Sequence, residues 1–233
     1  MSTAFEHTAA ALLALRRAGN DGALREMIGE ILLPCSEAAG AFAAVPPTVR
    51  TAERLCLQLL RESDNRRNAM QQRSDYYGCD VCALLEHASL AADVLLTDAR
   101  RSLCFTGESL LCGADPTLLL GGYLNLVANA VQYGTDDVFV DLQCHGDAAL
   151  LSVETNAGAP LPTAFHDGLR CAANAARLHG GRLLLASSQS RFCAVMRFQT
   201  TLPWERLFTP PRFSQYLETR VSPLRIALCE VLE

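Results

Sequence analysis

Residues 116–133 read P-T-L-L-L-G-G-Y-L-N-L-V-A-N-A-V-Q-Y, an apolar run preceded by Asp115 and interrupted by asparagines at 125 and 129. A spacing of four is one helical turn, so the two amides share a face. An asparagine carbonyl is a neutral hard-oxygen ligand suited to Mg²⁺, and its amide donates to phosphoryl oxygens, so that face is able to hold a metal-bound phosphate. The competing reading is an amphipathic helix whose polar stripe happens to contain asparagine. The order of the segments downstream of Tyr133 decides between them.

Upstream, Leu24, Met27 or Ile28, Ile31 and Cys35 recur at helical spacing after Asp21, a candidate N-cap, and Pro34 kinks that helix. The run Val45-Pro46-Pro47-Thr48 stops it and starts a second helix, in which Ala52, Leu55, Leu59 and Ala69 line one face to about Arg73. A two-helix hairpin cannot bury both apolar faces alone, so it is expected to pair with a second copy as a four-helix bundle. Residues 74–78 read as a linker. Beyond them come a helix (80–98), a strand (102–106), the asparagine helix, strands near 138–144 and 149–155, a helix from Gly168 to His179 and two final strands. Alternation in residues 138–142 and 182–186 marks strands with one face on helices. This is an α/β sandwich, and the residues after Pro203 form a tail expected to pack back on a domain or on a partner.

The chain of 233 residues, half of them hydrophobic, can bury one core plus a small helical domain, and is not disordered. A formal charge of −5 gives no general attraction to nucleic acid, although six arginines between Arg50 and Arg73 make one helix locally basic. No stretch approaches the roughly 18 uninterrupted apolar residues of a membrane helix, and the first arginines come after the first apolar segment. The expected compartment is the cytoplasm. Ten cysteines at scattered spacings form no disulfide framework. Cys79 and Cys82 have metal-ligand spacing without a second pair, and His87 is the sole nearby helper. Lysine is absent, so every cationic side chain other than histidine is arginine.

Four segments in order carry a family resemblance. Residues 115–134 resemble the asparagine box of sensor histidine kinases, D followed by N-L-x-x-N-A-x-x-Y. V-E-T-N-A-G-A-P-L-P at 153–162 stands where that family has its first glycine box. Gly168-Leu169 through His179-Gly180-Gly181 resembles the end of the second box and the helix closing on H-G-G, and residues 191–203 resemble the last strand ending in L-P. The resemblance implies an N-terminal extension (1–20), a dimerisation hairpin (21–73), a histidine kinase-like ATPase domain (76–203) and a tail (204–233), an α+β chain overall. It implies ATP and Mg²⁺ held by Asn125, Asn129, Tyr133, Thr155, Gly168 and Leu169, with Asn129 toward the metal. It also implies a homodimer whose partner is a response-regulator receiver domain or another histidine kinase.

Departures from the pattern point one way. In G-E-I-L-L-P at 29–34, matching the phosphoacceptor box, Gly29 stands at the histidine position beside Glu30. A shifted register places Gly22 there instead. Of His7, His87, His145, His166 and His179, none has an equivalent context, and His7 is the least implausible acceptor. Thr155 replaces the adenine-reading aspartate, a change from charged to neutral acceptor of about 1 kcal/mol. Ala157 and Ala159 replace glycines, His166 replaces the first glycine of the second box, and Gln132 stands where a basic residue is usual. Only a few residues separate Pro162 from Gly168, where the family has a long mobile lid. The expectation is a degenerate kinase acting as a docking module. The alternatives are an ATP-binding kinase acting on another chain's histidine and a histidine phosphotransferase.

Overall fold

The computed structural model describes residues 11–14, 17–18, 20, 22–28, 47–97, 101–157, 167–187, 190–219 and 221–232. The chain divides into two compact units, Met1–Asp64 and Asn65–Glu233. The division falls inside the first long helix, α1 (Pro47–Met70).

In the first unit, residues 22–28 are helical. Asp21 lies outside the described residues, and Asn20 acts as the cap: its side chain accepts from the Ala23 N–H (3.2 Å) and its carbonyl from the Leu24 N–H (3.0 Å). Leu24 and Ile28, one turn apart, are fully buried, and Arg25 pairs with Asp64 of α1. On α1 itself, Cys56, Leu57, Leu59 and Leu60 are buried whereas Leu55 is 41% exposed, so the apolar stripe is rotated from the expected one. Residues 29–46, with the expected kink at Pro34 and the expected stop from Val45, lie outside the described residues.

The second unit runs from the end of α1 through β1 (Tyr77–Asp80), α2 (Val81–Leu96), β2 (Leu103–Gly107), β3 (Leu111–Ala114), α3 (Pro116–Tyr133), β4 (Val138–His145), β5 (Ala148–Asn156), α4 (Asp167–Leu178), β6 (Arg182–Ser187), β7 (Arg191–Gln199), β8 (Leu207–Phe208) and α5 (Phe213–Glu218) to α6 (Pro223–Leu228). The main sheet has the order β2-β4-β5-β7-β6, with β2 parallel to β4 and every other pair antiparallel. A parallel pair needs a crossover, and α3 lies within it. Along the strands burial alternates: Val138, Val140 and Leu142, then Leu151 and Val153, then Phe192, Ala194, Met196 and Phe198 face one core with α2, α3 and α4.

Helix ends are set by local chemistry. Asp115 caps α3, its carboxylate accepting from the Leu118 N–H (3.0 Å), and Pro116 occupies the first turn, where no amide hydrogen is needed. α4 ends in a Schellman motif: the Gly180 N–H donates to Arg177 O (3.0 Å) and the Gly181 N–H to Ala176 O (2.8 Å). Gly180 has φ +70°, which only glycine adopts readily.

One feature differs from the sequence reading, and one alternative it left open is decided. Residues 77–78, expected as linker, begin strand β1, which pairs with β3 and β8 in a second small sheet. The tail belongs to the second unit: Tyr216, Leu224, Ala227 and Leu228 join the same core as α2 and α3. Among the described residues no helix is long and apolar enough to cross a membrane.

Candidate functional site

The face of α3 that carries the asparagines is buried. Asn125 is 4% exposed and Asn129 fully buried. Both hydrogens of the Asn125 amide are used, one by the Asn65 side-chain carbonyl (2.7 Å) and one by Gly121 O, a turn back along α3 (2.8 Å). The Gly121 carbonyl fixes the orientation, since the flipped amide would set oxygen against oxygen. The Asn125 carbonyl is thereby left as an acceptor, and it has no protein partner. Asn129 has none at either amide atom. Unpaired buried groups of this kind cost about 1–3 kcal/mol each, and native proteins hold few of them.

Around Asn125 the structure gathers residues that sequence patterns did not single out. Asn65 and Asn68, three apart on α1, are both more than nine-tenths buried. The Cys171 thiol of α4 lies beside Asn68 and Asn125, and burial pushes it up to about 11 against the lowering effect of those two amides. Asn174, one turn on, donates to Asn68 O (2.7 Å) and Gln71 O (2.9 Å), satisfying carbonyls at the end of α1. Its own carbonyl accepts from Arg177 (3.0 and 2.8 Å). Gln71 reaches the Asp115 carboxylate (3.2 Å). In the sequence, Asn65 and Asn68 sit among arginines and look like a solvated face; only their spacing of three offered a signal.

Thr155 ends up elsewhere, at the C-terminal end of α3. It is 3% exposed, and its hydroxyl donates to Asp136 O (3.3 Å). The turn after α3 is stitched to β5 by the Thr135 N–H on Asn156 O (2.9 Å) and by the Asn156 amide on the Asp136 carboxylate (2.8 Å). Gly134 makes this closure possible, since a Cβ there would lie 2.4 Å from Ala130 O and 2.6 Å from Thr155 Oγ1. Tyr133 is half-buried, and Gly168 and Leu169 are buried in the first turn of α4. Gly29, Glu30, His7, His166 and residues 158–165 lie outside the described residues.

The remaining candidates take ordinary roles. His179 is fully buried, its Nδ1–H on Ala175 O (2.7 Å) and its Nε2 accepting the Asp115 N–H (2.9 Å). His87 Nδ1 contacts Pro211 O at 2.9 Å, and His145 is exposed beside Gln143. Cys79 is buried, with its thiol pushed up to about 12 by desolvation. Among the described residues no three His, Cys, Asp or Glu side chains are placed to hold a metal.

A mixed sheet backed by helices on one face, with an asparagine-bearing helix in its parallel crossover, makes an α/β sandwich. No protein-family model and no curated protein matches the sequence. Among solved structures the chain is similar to the Acinetobacter baumannii histidine kinase AdeS, over 76% of this chain and 96% of that one, at 14% identity and a TM-score of 0.56. It is similar to full-length ShkA in complex with AMPPNP over 85% of this chain and 47% of that one, at 14% identity and a TM-score of 0.56. The catalytic domain of histidine kinase ThkA aligns over 55% of this chain and 99% of that one, at 16% identity and a TM-score of 0.50. The chain has the fold of the histidine kinase catalytic domain.

Proposed function

We propose that the protein is a degenerate histidine kinase-like module of two-component signalling, a cytoplasmic homodimer that docks a receiver domain or another histidine kinase and does not itself transfer phosphate. One observation carries this reading: groups that the resemblance assigns to nucleotide are engaged within the protein. Both amide hydrogens of Asn125 go to Asn65 and Gly121, and the Thr155 hydroxyl goes to Asp136 O. Gly29 at the phosphoacceptor position agrees with it, because glycine has no atom to receive a phosphoryl group.

The docking surface is sought on the basic face of α1. Arg66 and Arg67 are exposed there, whereas Arg61 is 9% exposed and has a partner within the protein. Charge reversal at Arg66 and Arg67 is expected to abolish capture of a receiver domain in a pull-down; undiminished capture would reject that face.

A second reading rests on the opposite observation. The unpaired amide of Asn129 and the unpaired carbonyl of Asn125 have the chemistry to meet a Mg-nucleotide, the metal neutralising phosphate charge beside the carbonyl oxygens. Residual nucleotide use would then serve a histidine on another chain. Calorimetry with Mg²⁺ and AMPPNP, on the wild type and on Asn129→Ala, separates the two. No heat at millimolar ligand supports the docking module; saturable binding lost in Asn129→Ala supports the second reading.

A further inference from the structure

Three fastenings hold the end of α1 onto α3 and α4. Asn65 takes the amide of Asn125, Asn174 takes the carbonyls of Asn68 and Gln71, and Gln71 takes the Asp115 cap of α3. The first differs in kind from the others. Asn174 and Asp115 close helix ends, where carbonyls or amide hydrogens need partners in any case. Asn65 instead occupies a side chain that no backbone ladder requires. The side chain it holds belongs to a face of α3 on which three amide atoms, Asn125 Oδ1 and both of Asn129, are buried with nothing to bond. Gly121 adapts the helix to this arrangement, since a Cβ there would come 3.1 Å from the Asn68 amide nitrogen. The result is a buried polar face whose own groups are partly unsatisfied and one of whose amides is held by a side chain.

We propose that the end of α1 is an internal competitor for the asparagine face of α3: the Asn65–Asn125 hydrogen bond holds that face closed, and a phosphate-bearing ligand with its divalent cation reaches it only when that bond opens. The proposal rests on the second reading above, that the asparagine face takes a ligand at all. Opening frees the Asn125 amide hydrogen that Asn65 holds for a phosphoryl oxygen, while the Asn125 carbonyl, with that of Asn129, meets the cation. Cys171 reports the state of the latch independently of any ligand, because its thiol is fully buried between Asn68 and Asn125.

Asn65→Leu removes the acceptor at similar size, and Asn65→Asp keeps an acceptor oxygen in either protonation state. Iodoacetamide alkylation at Cys171, read by peptide mass mapping, is expected to rise several-fold in Asn65→Leu and to stay near wild type in Asn65→Asp. Binding of Mg-AMPPNP is expected to tighten about fivefold in Asn65→Leu, the value of one neutral hydrogen bond, with no gain in Asn65→Asp. Equal affinity in wild type and Asn65→Leu overturns the latch while leaving the nucleotide reading standing. Faster alkylation of Cys171 with no nucleotide binding in any variant overturns the nucleotide reading, and the latch proposal with it. Linkage supplies a check without a variant: in the wild type, saturating Mg-AMPPNP should speed amide hydrogen exchange over residues 65–71, and unchanged exchange at saturation overturns the latch.

Discussion

His179 is held in a single neutral form. Its Nδ1 carries the hydrogen given to Ala175 O, its Nε2 accepts the Asp115 N–H, and the Tyr76 ring meets it edge-on with centroids 5.8 Å apart. Burial lowers its pKa, against the opposing pull of the Ala175 hydrogen bond and the Asp115 charge. The unfolded chain therefore binds a proton more readily than the folded one. The stability this residue contributes is fully present above its ordinary value of about 6.5 and falls as the pH drops through that value toward the folded one. The denaturant midpoint should fall between pH 7 and pH 5, and less so in His179→Gln; equal slopes in the two proteins would remove His179 as the cause. The histidine was legible as part of H-G-G, but not as a buried bridge, because its partners stand 64 residues away and on its own helix. Asn65 was illegible for the same reason: its identity matters only through Asn125, 60 residues on.

Among the elements, α3 and α4 could be read from sequence nearly to their ends, since caps and helical periodicity are local signals. Their closeness was not legible. At Gly122 a Cβ would lie 2.9 Å from the Ala175 Cβ and 3.3 Å from the Ala172 backbone. Gly122→Ala forces the helices apart and is expected to cost about 1–3 kcal/mol in urea unfolding, the usual range for overpacking. A variant as stable as wild type would mean that the interface has slack. Strands β1 and β3 escaped the sequence reading because each is four residues long and carries a glycine, so neither shows an alternating pattern. Those glycines are covered by the chain after β7. At Gly78 a Cβ would come 2.6 Å from the Trp204 ring, and at Gly113 it would come 2.1 Å from Leu202 O. The cover is distant in sequence, and so is its signal.

For the molecule as a whole, the tail is part of the core of the second unit and not an appendage. Leu224 and Leu228 are fully buried and Tyr216 is 3% exposed, all within the cluster formed by α2, α3 and the main sheet. Each such side chain contributes about 1.5–3 kcal/mol of burial, and a domain's net stability is about 5–15 kcal/mol. A chain ending at Pro203 should therefore lose its cooperative thermal transition by circular dichroism; an unaltered melt would show that the tail adds no stability. The sequence alone determined the main helices, the five strands of the main sheet, the asparagine pair and the glycine beside Glu30, because periodicity, caps and residue chemistry act over a few positions. Only the tertiary structure decided that the tail closes the core, that β1 and β3 pair, and that the Asn125 amide is given to Asn65. Those outcomes depend on groups far apart in the chain meeting in a dry interior, where each polar atom bonds to whatever the packing brings within reach.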